Sequence, residues 1–150
     1  KLVPKDCVQA MKCYELGLQD PDQIGCANRA GELLFHGKDG IQQDYARAVQ
    51  LFEQAHSQKN TWGNDMLGTC YLFGYGCVKD PARALMLFQE VDYSTNLLNY
   101  GLGTIYTEGL GAPQDIKKGV EYLQKCKNYA PAQEAMLKFK KTLFGKWVRR

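Results

Sequence analysis

Residues 67–88 read Leu-Gly-Thr-Cys-Tyr-Leu-Phe-Gly-Tyr-Gly-Cys-Val-Lys-Asp-Pro-Ala-Arg-Ala-Leu-Met-Leu-Phe, and this stretch decides the fold. Its first five residues return as Leu102-Gly103-Thr104-Ile105-Tyr106, 35 positions later. From there the match runs without a gap: Gly74 with Gly109, Gly76 with Gly111, Val78 with Pro113, Asp80 with Asp115 and Leu85 with Val120. Upstream, Ala30-Gly31, Gly37, Gly40, Asp44, Ala48 and Phe52 correspond to Leu67-Gly68, Gly74, Gly76, Asp80, Ala84 and Phe88. The offset is 37 before the loop and 36 after it, so the Gly37 to Gly40 loop carries one extra residue. A half copy opens the chain, where Asp6, Ala10, Tyr14 and Glu15 match Asp44, Ala48, Phe52 and Glu53. Self-similarity at a fixed period in this range marks an architecture in which each unit buries its apolar face only by stacking on its neighbours.

Each unit reads as two helices. The first ends in glycines, which permit the positive φ of a helix stop. The second begins at an aspartate placed as an N-cap, and Asp80-Pro81 adds proline where its missing N–H costs nothing. Apolar residues then recur at helical period, at Ala48, Leu51, Phe52, Ala55 and at Ala84, Leu87, Phe88, Val91. The pattern predicts helices over 6–18, 24–37, 44–57, 62–74, 80–91, 96–109, 115–127 and 131–143. Gly31, Gly68 and Gly103 fall inside helices, where glycine costs roughly 1 kcal/mol against alanine. Three glycines in register imply close helix approach, expected near Ala48, Ala84 and Gly119.

The pattern Leu-Gly-x-x-Tyr-x-x-Gly-x-Gly-x-x-x-Asp-x-x-x-Ala resembles the Sel-one-like repeat, a relative of the tetratricopeptide repeat, over nearly all of residues 6–143. Leu34 stands where tyrosine is expected, Gly119 where alanine is expected, and Lys138 replaces the glycine of the last helix. The resemblance implies an all-α, right-handed solenoid of helix-turn-helix repeats: a half repeat over 1–22, repeats over 23–58, 59–94 and 95–129, and a capping helix with a basic tail over 130–150. It also implies an adaptor or assembly scaffold, often bacterial, and the ending Phe139-Lys140-Lys141-Thr142-Leu143-Phe144-Gly145-Lys146-Trp147 is similar to tails of bacterial members.

Solenoids bind along a concave surface lined by the first helix of each pair. Tetratricopeptide geometry, carried over by the resemblance, points positions six and three before the register glycine, and one and four after it, into that groove. These are Asn28, Glu32 and Phe35; Trp62, Asp65, Thr69 and Leu72; and Leu97, Tyr100, Thr104 and Thr107. Amides, hydroxyls and aromatics suit an extended peptide, and Trp62 is the main candidate anchor.

Charge places limits on the partner. The chain carries a formal net charge of +3, but residues 138–150 hold Lys138, Lys140, Lys141, Lys146, Arg149, Arg150 and no acid; removing those six cations leaves −3 on the body. A body of that sign disfavours nucleic acid as its partner, since phosphate binding needs clustered Lys and Arg. No apolar run is long enough to span a membrane. The tail has two readings: Leu137, Phe139, Leu143, Phe144 and Trp147 fold over the last repeat as a cap, or they dock with the cations on an acidic partner or membrane surface. At the other end, Val8, Met11 and Leu16 form an open apolar face suited to upstream repeats or self-association.

Catalysis finds no constellation. His36 and His56 fall in unrelated places and no serine lies in a G-x-S-x-G elbow, so the chain is expected to be no enzyme and to hold no metal or cofactor. The six cysteines, Cys7, Cys13, Cys26, Cys70, Cys77 and Cys126, are spaced by 6, 13, 44, 7 and 49 with no CxxC pair. Free buried thiols and a cytoplasmic setting follow, with a secreted or periplasmic one open if a signal lies upstream of Lys1. Two alternatives stand beside the scaffold: a relative of cysteine-rich repeat proteins with small-molecule binding or weak hydrolase activity, and a purely structural self-assembling segment.

Overall fold

The computed structural model describes residues 7–20, 25–37, 40–126 and 128–150. Eight helices follow one another among them: α1 (Cys7–Gly17), α2 (Gly25–His36), α3 (Tyr45–Ser57), α4 (Asn64–Phe73), α5 (Pro81–Gln89), α6 (Asn96–Glu108), α7 (Ile116–Lys125) and α8 (Ala130–Met136). Packing is dominated by the pairs α2 with α3, α4 with α5 and α6 with α7, and α4 also lies on α6. The result is an all-α solenoid.

The three hairpins are made by the same local chemistry. Asp44, Asp80 and Asp115 sit in extended backbone just before α3, α5 and α7, and each carboxylate accepts the backbone N–H three residues on, from Arg47, Arg83 and Lys118. The same aspartates donate their own N–H back to the last turn of the preceding helix, to the carbonyls of Leu34, Tyr71 and Tyr106 at 3.0, 2.9 and 2.8 Å. The bond uses the main chain, so Leu34 in place of tyrosine costs the turn nothing. Gly74 and Gly109 close α4 and α6 with φ of 78° and 69°. The second loop glycine acts between repeats. A Cβ on Gly76 would come within 2.4 Å of the main chain at Tyr45–Ala46, and one on Gly111 within 2.8 Å of that at Pro81–Ala82. Each loop thus rests on the start of the previous repeat's second helix, and the missing side chain sets the spacing between repeats.

The mid-helix glycines make room for rings, a correction to the expected approach of alanines. A Cβ on Gly31 would lie 2.7 Å from the Phe52 ring, and one on Gly68 would lie 2.6 Å from the Phe88 ring. Both rings are also held from the following repeat, Phe52 by Gly63 and Phe88 by Gly101. Each phenylalanine therefore fills a slot between two successive first helices. Gly103 accommodates Leu123 in the same way, with the Gly119 carbonyl 3.2 Å from its would-be Cβ. Ala48 and Ala84 are fully buried one turn earlier.

The carboxy-terminal region departs from expectation. The helix predicted over 131–143 ends at Met136, and an antiparallel hairpin follows, β1 (Phe139–Lys141) and β2 (Trp147–Arg149), pairing Phe139 with Arg149 and Lys141 with Trp147. Among the described residues α8 has no following helix to pair with, and Phe139 covers the end of the array instead, buried with Val120, Leu123 and Ala132. Of the five apolar residues expected in a cap, Phe139 and Trp147 pack there, whereas Leu137, Leu143 and Phe144 are exposed. At the opposite end Met11 is buried against α2 and α3 residues, so the open face there reduces to Val8 and Leu16.

Candidate functional site

Helices α2, α4, α6 and the turn before α4 carry the eleven residues expected in a groove, and the structure divides them. Phe35, Leu72 and Thr107, four positions after the glycine, all turn inward. Phe35 meets Phe52 and Tyr45 edge-on, Leu72 belongs to the α4–α6 core, and the Thr107 methyl packs on Gly119 of α7. The carried-over rule fails there because that turn of each first helix faces the second helix and the next repeat. Thr69, Thr104 and Thr107 donate their hydroxyls to the carbonyls of Asp65, Tyr100 and Gly103, one turn back in their own helices. Asn28 is 1% exposed, with neither amide atom hydrogen-bonded among the described residues, and its Oδ1 lies over Gly63. Glu32, Trp62, Leu97, Tyr100 and Thr104 reach the surface.

Four of the eleven meet around one cavity of ≈ 400 Å³: Glu32 from α2, Trp62 from the turn before α4, Asp65 from α4 and Leu97 from α6. His36, Met66, Tyr93, Thr95 and Asn96 complete its wall. Asp65 is only 4% exposed. Its carboxylate accepts from the Thr95 hydroxyl at 2.8 Å, the Tyr93 hydroxyl at 3.3 Å and the Met66 N–H at 2.9 Å. These donors are neutral, and among the described residues no Lys, Arg or His pairs with it. Burial pushes the Asp65 carboxyl above the usual carboxylate range, and the three hydrogen bonds pull against that rise. Tyr93 also donates to the Trp62 carbonyl, which ties the α5–α6 loop to the start of α4.

Arg29 shows what this wall holds. Its guanidinium lies 4.2 Å from the centre of the Trp62 ring and 3.4 Å from the Glu32 carboxylate. Both partners are surface groups, so the pair is weak in water and an incoming cation can displace it.

Tyr100, Thr104 and Thr107 meet around a second cavity, of ≈ 560 Å³, walled by Phe73, Glu108, Ala135, Lys138, Phe139, Arg149 and Arg150. Tyr100 stacks on Phe73 at 5.7 Å and meets Tyr129 edge-on. Arg149 pairs with Glu108, so the hairpin closes this end of the groove.

Tyr93, Thr95 and Arg29 escaped sequence reasoning, as did the hairpin's contribution to the second cavity. The α5–α6 loop lies outside the repeat register, and the hairpin follows it; repeat matching carries no signal for either. Among the cysteines, Cys7, Cys70 and Cys126 are buried and Cys13 is exposed, and none of the six is joined in a disulfide among the described residues. Burial pushes Cys70 up to about 12 and Cys126 up to about 11, opposite to the shift that activates a thiol nucleophile. Among the described residues no group of side chains is placed to hold a metal ion, and no helix is long and apolar enough to cross a membrane.

A family model described as the Sel1 repeat matches residues 1–19, 24–60, 64–90 and 98–125. Two solved structures share the fold. One is c5321, a protective antigen present in uropathogenic Escherichia coli strains and displaying an SLR fold, with a TM-score of 0.60 and 23% identity over 82% of this chain. The other is a Sel1 repeat protein from Oxalobacter formigenes, with a TM-score of 0.60 and 20% identity over 82% of this chain. The chain spans 27% of the first and 52% of the second.

Proposed function

The chain belongs to the Sel1 repeat family, and from that premise we propose that it holds an extended segment of a partner protein along the face of α2, α4 and α6. Sel1 repeat chains generally serve protein–protein interaction and are generally not catalysts. The observation that supports the choice of face is the cavity joining Glu32, Trp62, Asp65 and Leu97, because it draws on three successive first helices and has no counterpart in any single repeat. A buried carboxylate with only neutral donors is costly to keep charged, and a cation brought beside it offsets that cost. Trp62 adds an aromatic face and Glu32 a second carboxylate, the two groups Arg29 already engages. The segment bound is one that presents an arginine or lysine here, with apolar contact at Leu97 and Met66.

Panning a displayed random-peptide library against the chain tests this reading. The expected result is enrichment of peptides carrying Arg or Lys, whose affinity falls about tenfold in a Glu32→Gln, Trp62→Ala double variant with unchanged helical circular dichroism. Peptides that bind both proteins equally would move the site off this cavity, and enrichment without basic residues would remove the charge argument.

A further inference from the structure

The hairpin that covers the last repeat ends in a feature the cap does not need. Leu143 and Phe144 stand side by side at its apex with relative exposures of 103% and 98%, while Phe139, four residues away from Leu143, is buried. The apex is built, not loose. Thr142 donates its N–H to the Lys146 carbonyl at 2.8 Å, Gly145 donates to Thr142 at 2.9 Å with φ of 75°, and the Lys146 N–H reaches the Thr142 hydroxyl at 3.1 Å. The strands behind it are fixed to the body by Phe139 and by the Arg149–Glu108 pair, and to each other by Arg150, whose Nε donates to the Phe139 carbonyl. Displaying two large apolar side chains on such a rigid mount costs free energy in water, and an exposed apolar feature of this kind marks a docking element.

Charge identifies the occupant. Lys140, Lys141 and Lys146 flank the apex, all exposed, and none has an ion-pair partner among the described residues. Glu108, the carboxylate that the hairpin touches, is already paired with Arg149. Lys140 and Lys141 are consecutive in a strand and so project from opposite faces of the hairpin, with Lys146 on the other strand's approach. An acidic peptide would meet one of these faces. A surface that is laterally continuous and negatively charged meets them all, and it is fluid enough to receive a convex apolar apex that no fixed pocket is needed to match.

We propose that the Leu143–Phe144 hairpin is a membrane-contact element, inserting its two apolar side chains among the headgroups of an anionic lipid surface while its lysines pair with lipid phosphates and carboxylates. The net −3 of residues 1–137 repels the same surface, so the molecule meets it hairpin first. Two apolar side chains and three lysines give reversible attachment, with a partition constant on the order of 10⁴ M⁻¹, similar to a single acyl chain.

Flotation with vesicles of phosphatidylcholine alone and of phosphatidylcholine with about one-third phosphatidylserine tests the proposal. The chain is expected to float with the anionic vesicles at about 1 mM lipid and to stay in solution with the neutral ones. A Leu143→Ser, Phe144→Ser variant should lose at least about tenfold in partitioning, and a Lys140→Glu, Lys141→Glu, Lys146→Glu variant should lose more, at about fivefold per charge removed. The substituted side chains are exposed, so thermal unfolding should be that of the parent. Failure of the parent to float with anionic vesicles overturns the proposal, as does flotation that the Leu143→Ser, Phe144→Ser change leaves intact. Binding to a polyglutamate peptide in place of vesicles would overturn it too, and would assign the hairpin to an acidic protein.

Discussion

Phe88 and Phe144 are the same side chain in opposite situations. The first is 2% exposed, its ring pinned between Gly68 of its own repeat and Gly101 of the next; the second is 98% exposed at the apex of the hairpin. Repeat stacking explains the difference. An array buries its apolar groups at seams between neighbours, and at two seams a glycine from each of two successive repeats receives one ring. In the repeat of α6 and α7, Leu123 takes the ring's place against Gly103, and Phe139 of the hairpin packs in the same cluster. Apolar content alone therefore does not place a residue in this protein; the seam does.

The contrast breaks most visibly at Phe88. Phe88→Ala should destabilise the chain by about 3–5 kcal/mol in urea unfolding, and Phe144→Ala by less than about 0.5 kcal/mol. Similar losses at the two sites would mean that the apex is packed. A smaller effect sharpens the account of the slot. Gly68→Ala gains roughly 1 kcal/mol of helix propensity but places a methyl 2.6 Å from the Phe88 ring, so a net loss of about 1–3 kcal/mol is expected. Adding Phe88→Leu should recover part of that loss, and a strictly additive double variant would show that the glycine and the ring are not coupled.

The smallest expected effect concerns Asp65, a third situation in which a buried group carries charge. Its folded-state pKa lies above the ordinary value because burial disfavours the charged form. The folded chain therefore binds this proton more tightly than the unfolded chain, and the contribution of Asp65 to stability falls as pH rises through its raised pKa. Against an Asp65→Asn variant, the parent should gain relative stability as pH falls from neutral toward the ordinary carboxyl range in paired unfolding curves. A gap independent of pH would show that the carboxylate is solvated like any surface acid.

Much of this was legible in the residues. The aspartate caps and loop glycines act within a few residues of themselves, so the starts of α3, α5 and α7 and the ends of α4 and α6 follow from Asp44, Asp80, Asp115, Gly74 and Gly109 without knowledge of the fold. The groove was half legible. Glu32, Trp62 and Leu97 reach the surface as expected, but Phe35, Leu72 and Thr107 are claimed by the second helix and the next repeat, a demand that register on one helix does not express. Asp65 was assigned to the groove by position, and two of its hydrogen-bond donors, Tyr93 and Thr95, belong to a loop that no repeat pattern covers.

The sequence by itself determined the helical repeat, its period and its turns, because each depends on contacts between residues near in the chain. Tertiary structure alone decided which glycine receives which ring, that Asp65 is buried among neutral donors next to Trp62, and that the segment after Met136 turns back as a hairpin. Those outcomes depend on what lies across a seam. For the last repeat no further helix lies across it among the described residues, and the hairpin closes it with Phe139 while leaving Leu143 and Phe144 to the solvent.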